Sequence, residues 1–215
     1  MSSLGHLATI RSTARLRLEP ISHHHAADYY RVFQDDAIAC WYAGKLSRAA
    51  AQQAVQEAEQ RWQAIGFHKW LIYEQASGEV VGRAGLSALP LAYAQGAIRA
   101  CLPAVPWVDE TLAIAGETAL AQRWCEIGWA LRGAFWGQGY ATEVGRYSLQ
   151  FAFEQLDMQA VISFTERHNQ RSRAVMERIG MRYVGEFHSD GLIEGVPGVH
   201  ANAPFALYVA LREGA

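Results

Sequence analysis

An α/β fold of the α+β kind, in one domain spanning 1–215, is predicted from three observations. Strand-period and helix-period patterns alternate along the chain, giving about seven strands and about four helices. The apolar content, 51% of 215 residues against 19% charged, supports a sizeable core and excludes a disordered chain. A glycine-bearing run, Trp136-Gly137-Gln138-Gly139, stands where a strand pattern gives way to a helix pattern.

The elements follow in order. Ala14 to Glu19 alternates apolar and charged residues, a strand signal ended by Pro20. Ser22 caps a helix with Ala26, Tyr29, Tyr30 and Phe33 on its apolar face, ended by Asp35 and Asp36. Ser47 opens a second helix whose stripe is Ala51, Ala54, Val55, Ala58, Trp62 and Ile65, and Gly66 stops it. Lys69 to Tyr73 and Glu79 to Leu86 flank a turn at Ala76-Ser77-Gly78 and read as a hairpin. From about 88 to 125, Pro90, Pro103, Pro106 and Gly116 break every period, so this stretch is an irregular insertion of the kind that usually carries function. Glu126 to Leu131 is a strand, Arg132 to Tyr140 a loop, and Ala141 to Gln155 a helix with Val144, Tyr147, Phe151 and Ala152 on one face. Ala160 to Thr165 is a buried strand, and Asn169 to Ile179 a helix closed by Gly180. Arg182 to Phe187 and Phe205 to Leu211 complete the strands.

A net charge of −2 argues against a nucleic-acid binder, which needs a basic excess. No run of about 18 apolar residues is present, so no membrane helix is expected. The first residues lack a secretory apolar core, and a cytoplasmic location is expected. Cys40, Cys101 and Cys125 are widely spaced and read as small buried residues rather than a disulfide set or a zinc site. His23-His24-His25 resembles a metal tract, but consecutive helical residues splay by about 100° and do not converge on one ion. No metal is expected.

The loop carries the clearest chemistry. Two glycines allow a tight turn and close backbone approach to a ligand, and the following helix offers unpaired amides with a partial positive charge. Together they suit a phosphate or pyrophosphate; a plain tight turn is the other reading. No Walker lysine follows and no Gly-x-Gly-x-x-Gly is present, which disfavours nucleotide hydrolysis and dinucleotide binding.

With its helix, Trp136-Gly137-Gln138-Gly139-Tyr140-Ala141-Thr142-Glu143 resembles motif A of the GNAT acetyltransferases. Thr13-Ala-Arg-Leu-Arg-Leu18, Val80-Val-Gly-Arg-Ala-Gly-Leu86, Glu126-Ile-Gly-Trp129, Phe151-Ala-Phe-Glu154, Asn169-Gln-Arg-Ser172 and Arg178-Ile-Gly-Met-Arg-Tyr-Val-Gly185 are similar, in the right order, to segments of the RimJ/RimL branch. The resemblance implies a mixed, mostly antiparallel twisted sheet with helices on both sides, and acetyl-CoA as cofactor. It implies that the amides of Gly137, Gln138, Gly139, Tyr140 and Ala141, with Trp136 and Thr142, hold the pyrophosphate. It implies that the strand bearing Trp129 and Leu131 pairs with the pantetheine arm, and that Asn169 binds the arm from the other wall. Trp136 replaces the motif's Gln/Arg, which leaves more of the phosphate to backbone amides. Met176 replaces the tyrosine that protonates the leaving thiolate in many relatives; Ser172 or a water is the remaining candidate. Dimerisation is also implied by the resemblance alone.

Acetyl transfer to nitrogen needs a neutral amine. A lysine-like amine of pKa near 10.4 is neutral about 0.04% of the time at pH 7, a deficit of about 4.6 kcal/mol, whereas an α-amino group near pKa 8 lacks only about 1.4 kcal/mol. Glu126, at the head of the strand, reads either as the general base or as a solvated carboxylate; His188 and His200 are alternative bases or ordinary loop histidines. Glu143, in the first helical turn, reads as dipole stabilisation. Arg167, Arg171 and Arg173 read either as contacts for a coenzyme A phosphate or, for most of them, as exposed helix-start charges. For the acceptor, Asp36, Trp41, Tyr42, Asp109, Glu110 and Trp124 supply carboxylates and rings that suit a cationic polyhydroxylated amine, or else form an acidic surface over buried aromatics. The expected function is acetyl transfer to a small-molecule primary amine, an aminosugar antibiotic among the options. The alternatives are N-terminal acetylation of a protein and a non-catalytic acyl-CoA sensor.

Overall fold

The structure, a computed structural model, describes residues 8–42, 44–89 and 124–212. The expected insertion, and with it Cys101, Asp109 and Glu110, lies almost wholly outside the described residues. The described residues contain eight strands and five α-helices and fall into two compact units, Met1–Ser87 with Trp129–Tyr147, and Ala88–Gly128 with Ser148–Ala215. None of these helices is long and apolar enough to cross a membrane.

In the first unit the strand neighbours run β1 (Arg11–Ser12), β2 (Leu16–Pro20), β3 (Lys69–Glu74), β4 (Val80–Ala88) and the distal end of β5 (Trp124–Leu131). β2 and β3 pair antiparallel with Leu18 opposite Ile72, and β3 and β4 with Leu71 opposite Arg83. Leu16 and Leu18 are buried while Arg17 and Glu19 reach water, as alternation requires. The hairpin closes as predicted: Gly78 has φ +73° and its amide donates to the Glu74 carbonyl at 2.8 Å. Ser47 caps α3 (Arg48–Ile65) by accepting from the Ala50 amide at 3.1 Å, and Gly66, at φ +80°, ends it. The buried residues Ala51, Val55 and Ala58 face a core that includes Ile21, Val32, Phe33 and Leu71, and buried Trp62 lies against Trp70.

The helix expected from Ser22 is broken into three pieces. His23–His25 form a 3-10 turn, α1 covers Ala26–Val32, and α2 covers Asp36–Ala39. Asp35 does end the first helix, but it also starts the next, accepting from the Ala37 amide at 3.0 Å. His23 and His25 go to different carboxylates, His23 pairing with Glu59 at 2.8 Å and His25 with Glu19 at 3.1 Å, while the His23 and His24 rings lie 3.7 Å apart. Cys40, expected to be buried, is exposed at the end of α2, whereas Cys125 is buried. β1 accounts for the strand beyond the seven expected, and α2 for the extra helix.

In the second unit the order is the proximal end of β5, β6 (Ala160–Glu166), β8 (Val196–Leu211) and β7 (Arg182–Ile193). β5 and β6 are parallel and the other pairs antiparallel, which makes the strand pairing mixed. α4 (Tyr140–Glu154) precedes β6, and α5 (Gln170–Arg178) follows it. Leu89, Trp124, Ile162, Phe187, Phe205 and Leu207 form this unit's core. The β7–β8 hairpin is much longer than its two apolar segments predicted. Glycines and prolines at 191, 195, 197, 198 and 204 interrupt the alternation that would reveal it, and shifts in register absorb them. Gly191 is required for packing, because a Cβ there would lie 2.5 Å from the Phe205 ring.

Gly82 tests how closely β4 and the distal end of β5 approach. A Cβ at this position would meet the Ala130 carbonyl oxygen at 2.2 Å and the Leu131 Cα at 2.8 Å. Gly82→Ala is expected to destabilise the protein by about 1–3 kcal/mol in urea denaturation, because backbone must shift to admit one methyl. Gly78→Ala meets no neighbour within 4 Å and should lose only the ~1 kcal/mol of a left-handed residue.

Candidate functional site

Among the described residues, β5 and β6 pair from Trp124↔Ala160 to Glu126↔Ile162, although β5 runs on to Leu131 and β6 to Glu166. At the point of departure the Ser163 hydroxyl donates to the Ile127 carbonyl at 2.9 Å, so a side chain takes over from the ladder. The burial alternation of β5 also breaks there, with Gly128 and Trp129 both half-buried. Glu126, the expected base, is half-buried at the last paired position.

After β5 the chain is fastened before it turns. The Gly133 amide donates to both Asp35 carboxylate oxygens at 3.2 Å, and the Trp136 indole donates to the Leu131 carbonyl at 2.7 Å. Gly137 and Gly139 then take φ of +76° and +81°, which L side chains rarely adopt. α4 starts at Tyr140, and the Glu143 amide donates to the Gly139 carbonyl at 3.0 Å. The amides of Tyr140, Ala141 and Thr142 therefore precede the intrahelical ladder and remain available to an anion. Leu131 is buried, while Trp136 is exposed at the rim of the loop.

Glu143 does more than complement a helix dipole. Its carboxylate accepts from the Thr13 hydroxyl at 2.6 Å, the Arg15 amide at 2.9 Å and the Arg15 Nε at 2.7 Å. Arg15 also donates through Nη1 to the Gln138 carbonyl at 2.8 Å and lies 4.5 Å over the Tyr140 ring. The Tyr140 hydroxyl in turn donates to Glu74. Burial pushes the Glu143 pKa up, but the hydrogen bonds from Thr13 and Arg15 outweigh it and hold the carboxyl below 4.5. No motif in the sequence marks Thr13 or Arg15 as partners of a helix 128 residues away.

In the second unit Asn169 caps α5, accepting from the Ser172 amide at 3.2 Å and donating to the Thr165 hydroxyl at 3.0 Å. Its side chain thus joins the start of α5 to β6. Met176 is buried. Arg167 reaches Glu186, and Arg173 reaches the Tyr208 hydroxyl at 3.1 Å, so these two arginines serve the unit's own packing. Tyr208, which no sequence pattern singled out, also donates to Glu177 at 2.9 Å. His188 and His200 both lie on the β7–β8 hairpin, and the His200 ring contacts the Pro197 carbonyl.

The expected acceptor residues have different surroundings. Trp124 is fully buried among Leu89, Ala160 and Ile162, so its ring is core and offers no face to an acceptor. Asp36 is exposed and paired with Lys45 at 2.7 Å rather than left as an uncompensated carboxylate. Tyr42 is half-exposed, accepts from Arg83 at 2.8 Å and stands edge-on to Phe33; Trp41 is half-buried beside it in sequence. Asp109 and Glu110 lie outside the described residues.

A family model described as "Acetyltransferase (GNAT) domain" matches residues 15–182. The FsC-acetyl coenzyme A-N(2)-transacetylase of Aspergillus fumigatus is 29% identical over 187 residues, which cover 81% of this chain and 66% of that protein. The chain thus spans just under two thirds of that relative. Among solved structures, ribosomal-protein-S5-alanine acetyltransferase from Vibrio fischeri is similar at a TM-score of 0.69 and 12% identity, over 96% of this chain and 98% of the other. A ribosomal L7/L12 α-N-protein acetyltransferase solved with coenzyme A is similar at 0.69 and 15% identity, over 96% and 100%.

The depressed Glu143 carboxyl has a consequence for stability. Its folded pKa lies below its unfolded value, so the ionised contacts stabilise fully above 4.5 and are lost as pH falls through the folded value. The melting-temperature gap between wild type and Glu143→Gln should be widest near about pH 7 and close towards about pH 3. A gap independent of pH would show that the charge of Glu143 does not hold these elements.

Proposed function

The chain belongs to the GNAT acetyltransferase family, whose acyl donor is acetyl-CoA, and on that premise we propose that it acetylates a primary amine of a small molecule. The observation that carries this reading is the left-handed Gly137 and Gly139 pair opening α4. A loop of that form with unladdered amides behind it fits a pyrophosphate without a lysine. In this reading the amides of Gly137, Gln138, Gly139, Tyr140 and Ala141 hold the pyrophosphate, with Trp136 and Thr142 beside them. The backbone of Trp129 and Leu131 pairs with the pantetheine arm, and Asn169 binds it by its side chain.

Acetyl-CoA supplies the activated acetyl thioester. The protein's own work is to orient it and to manage protons. A β5 amide near Trp129 donates to the thioester carbonyl as negative charge develops on it. Glu126 takes the proton from the attacking amine, directly or through a water. Ser172, one turn into α5, is the side chain offered to the leaving sulfur, since buried Met176 has no proton to give. The amine attacks the thioester directly while both substrates are bound.

The small-molecule acceptor is supported by the fungal relative, whose name specifies an acetyl coenzyme A-dependent transfer to a numbered nitrogen. A thiol-release assay with acetyl-CoA against aminoglycosides, polyamines, amino acids and N-terminal peptides tests it. Release with a small amine and not with peptides is the expected result. Release with peptides alone would assign the chain to protein N-termini, and no release with any amine would favour a sensor over an enzyme.

Two substitutions test the assigned residues. Glu126→Gln should lower kcat by about 10²-fold or more with little change in the KM for acetyl-CoA, and unchanged turnover would remove Glu126 from the mechanism. Gly139→Val should weaken coenzyme A binding by at least about tenfold in calorimetry, because the left-handed turn is lost, while circular dichroism stays native. Retained affinity would contradict the loop assignment.

A further inference from the structure

We infer that Arg15 is a positioning residue for acetyl-CoA: locked by Glu143 and Thr13, it sets the direction in which the Gly139 amide points. The inference rests on the reading of residues 137–141 as the pyrophosphate site and adds a residue to it.

The geometry is specific. Arg15 Nη1 donates to the Gln138 carbonyl at 2.8 Å. In a planar trans peptide the carbonyl and the following N–H point in opposite directions. Fixing the Gln138 carbonyl against Arg15 therefore fixes the Gly139 N–H pointing away from it. That peptide needs such a restraint. Gly137 and Gly139 flank Gln138, both with φ in the left-handed region, and glycine resists rotation less than any other residue. Left alone, a Gly-Gln-Gly segment would sample several peptide orientations, only some of which present an N–H to an anion.

Arg15 is itself held from several directions. Glu143 Oε2 receives both its Nε at 2.7 Å and its Nη2 at 2.6 Å, so two donors on one side of the guanidinium converge on a single carboxylate oxygen. The same carboxylate receives the Arg15 amide and the Thr13 hydroxyl. The Tyr140 ring covers the guanidinium at 4.5 Å, and the Tyr140 hydroxyl is tied to Glu74 at the end of β3. The Arg15 carbonyl accepts from the Gln75 amide at 2.9 Å, and Gln75 Nε2 donates to the Thr13 carbonyl at 2.8 Å. The Arg15 backbone is thus anchored beside the end of β3, while its guanidinium is held by the helix.

The arrangement also accounts for a carboxylate placed within one turn of an anion site. Glu143 alone would repel a pyrophosphate. Ionised and paired with Arg15, it is neutralised locally and spends its charge on orienting the cation that orients the loop.

A direct phosphate contact by Arg15 would give the opposite sign for one variant. If Arg15 were a free ligand restrained by a competing carboxylate, Glu143→Gln would release it and tighten binding. If Glu143 locks a positioning residue, the same variant weakens binding. The experiment compares wild type, Arg15→Met, Arg15→Lys, Glu143→Gln and the Arg15→Met/Glu143→Gln double variant. Each is assayed with acetyl-CoA and with S-acetylpantetheine, which carries the thioester without the pyrophosphate, at a temperature where circular dichroism shows every variant folded.

Arg15→Met is expected to raise the KM for acetyl-CoA about tenfold, with kcat within about twofold and kcat/KM for S-acetylpantetheine unchanged. Arg15→Lys keeps the charge without the fork and should resemble Arg15→Met. Glu143→Gln should also raise the KM for acetyl-CoA, and the double variant should be no worse than Arg15→Met, as coupled residues require. Tighter binding in Glu143→Gln, full rescue by Arg15→Lys, or an equal loss with both acyl donors would each overturn the proposal. A wild type that uses S-acetylpantetheine as well as acetyl-CoA would overturn the loop reading, and the role of Arg15 with it.

Discussion

Every backbone amide and carbonyl needs a partner, and the candidate site is organised around where this chain stops supplying its own. The β5–β6 ladder ends at Glu126↔Ile162 while both strands continue. A dozen residues later the chain enters α4 through two left-handed glycines, leaving the first-turn amides ahead of the helical ladder. Around these openings the chain is fastened with care. Gly133 is tied to Asp35, Trp136 to the Leu131 carbonyl, and Ser163 to the Ile127 carbonyl. These stretches leave polar backbone of the kind a cofactor arm and its phosphates would use.

The same economy governs charge. Only two of the 19 basic residues are lysines, and neither serves the loop. Lys45 pairs with Asp36, and Lys69 is buried with its ammonium on the Gly85 carbonyl. Arginine does the positioning, because its planar fork fixes direction as well as charge. Arg15 reads out the Glu143 carboxylate on one side and the Gln138 carbonyl on the other. Arg173 links the Tyr208 hydroxyl to the Arg167 carbonyl at the head of α5. A net charge of −2 therefore says little about the site; what matters is how many carboxylates are already committed.

Features that depend on a few neighbouring residues were legible in the sequence. Ser47 and Gly66 bound α3 as predicted, Gly78 closes the β3–β4 hairpin, and the Gly-x-Gly run sits between strand and helix. What could not be read were the relations between distant residues. The Thr13–Arg15–Glu143 contacts join segments more than 120 residues apart, and nothing in either segment announces the other. Trp124 shows the reverse failure. A tryptophan beside an acid-bearing stretch suggested a binding surface, but its place at the start of an interior strand puts the ring in the core. The broken first helix has a local cause, since an Asp-Asp pair can end one helix and cap the next, and periodicity alone does not separate these outcomes.

The committed carboxylates bear on how an acceptor could be deprotonated. Asp28 receives the Tyr73 hydroxyl at 2.9 Å, Asp35 receives the Ala37 and Gly133 amides, and Asp36 is paired with Lys45. Arg83 adds a cation beside Tyr42 and Phe33. Among the described residues this part of the first unit is therefore no reservoir of unpaired negative charge for a polycation. An acceptor amine would have to lose its proton mainly through its own acidity and one base. The difference between a lysine-like and an α-amino-like nucleophile is about 3 kcal/mol at neutral pH, and the attraction of a neighbouring carboxylate does not close it, because that attraction favours the ammonium form. On the proposed mechanism, acceptors whose amine pKa is already close to 8 are favoured, with Glu126 as the proposed base for a deprotonation that the substrate itself makes easy.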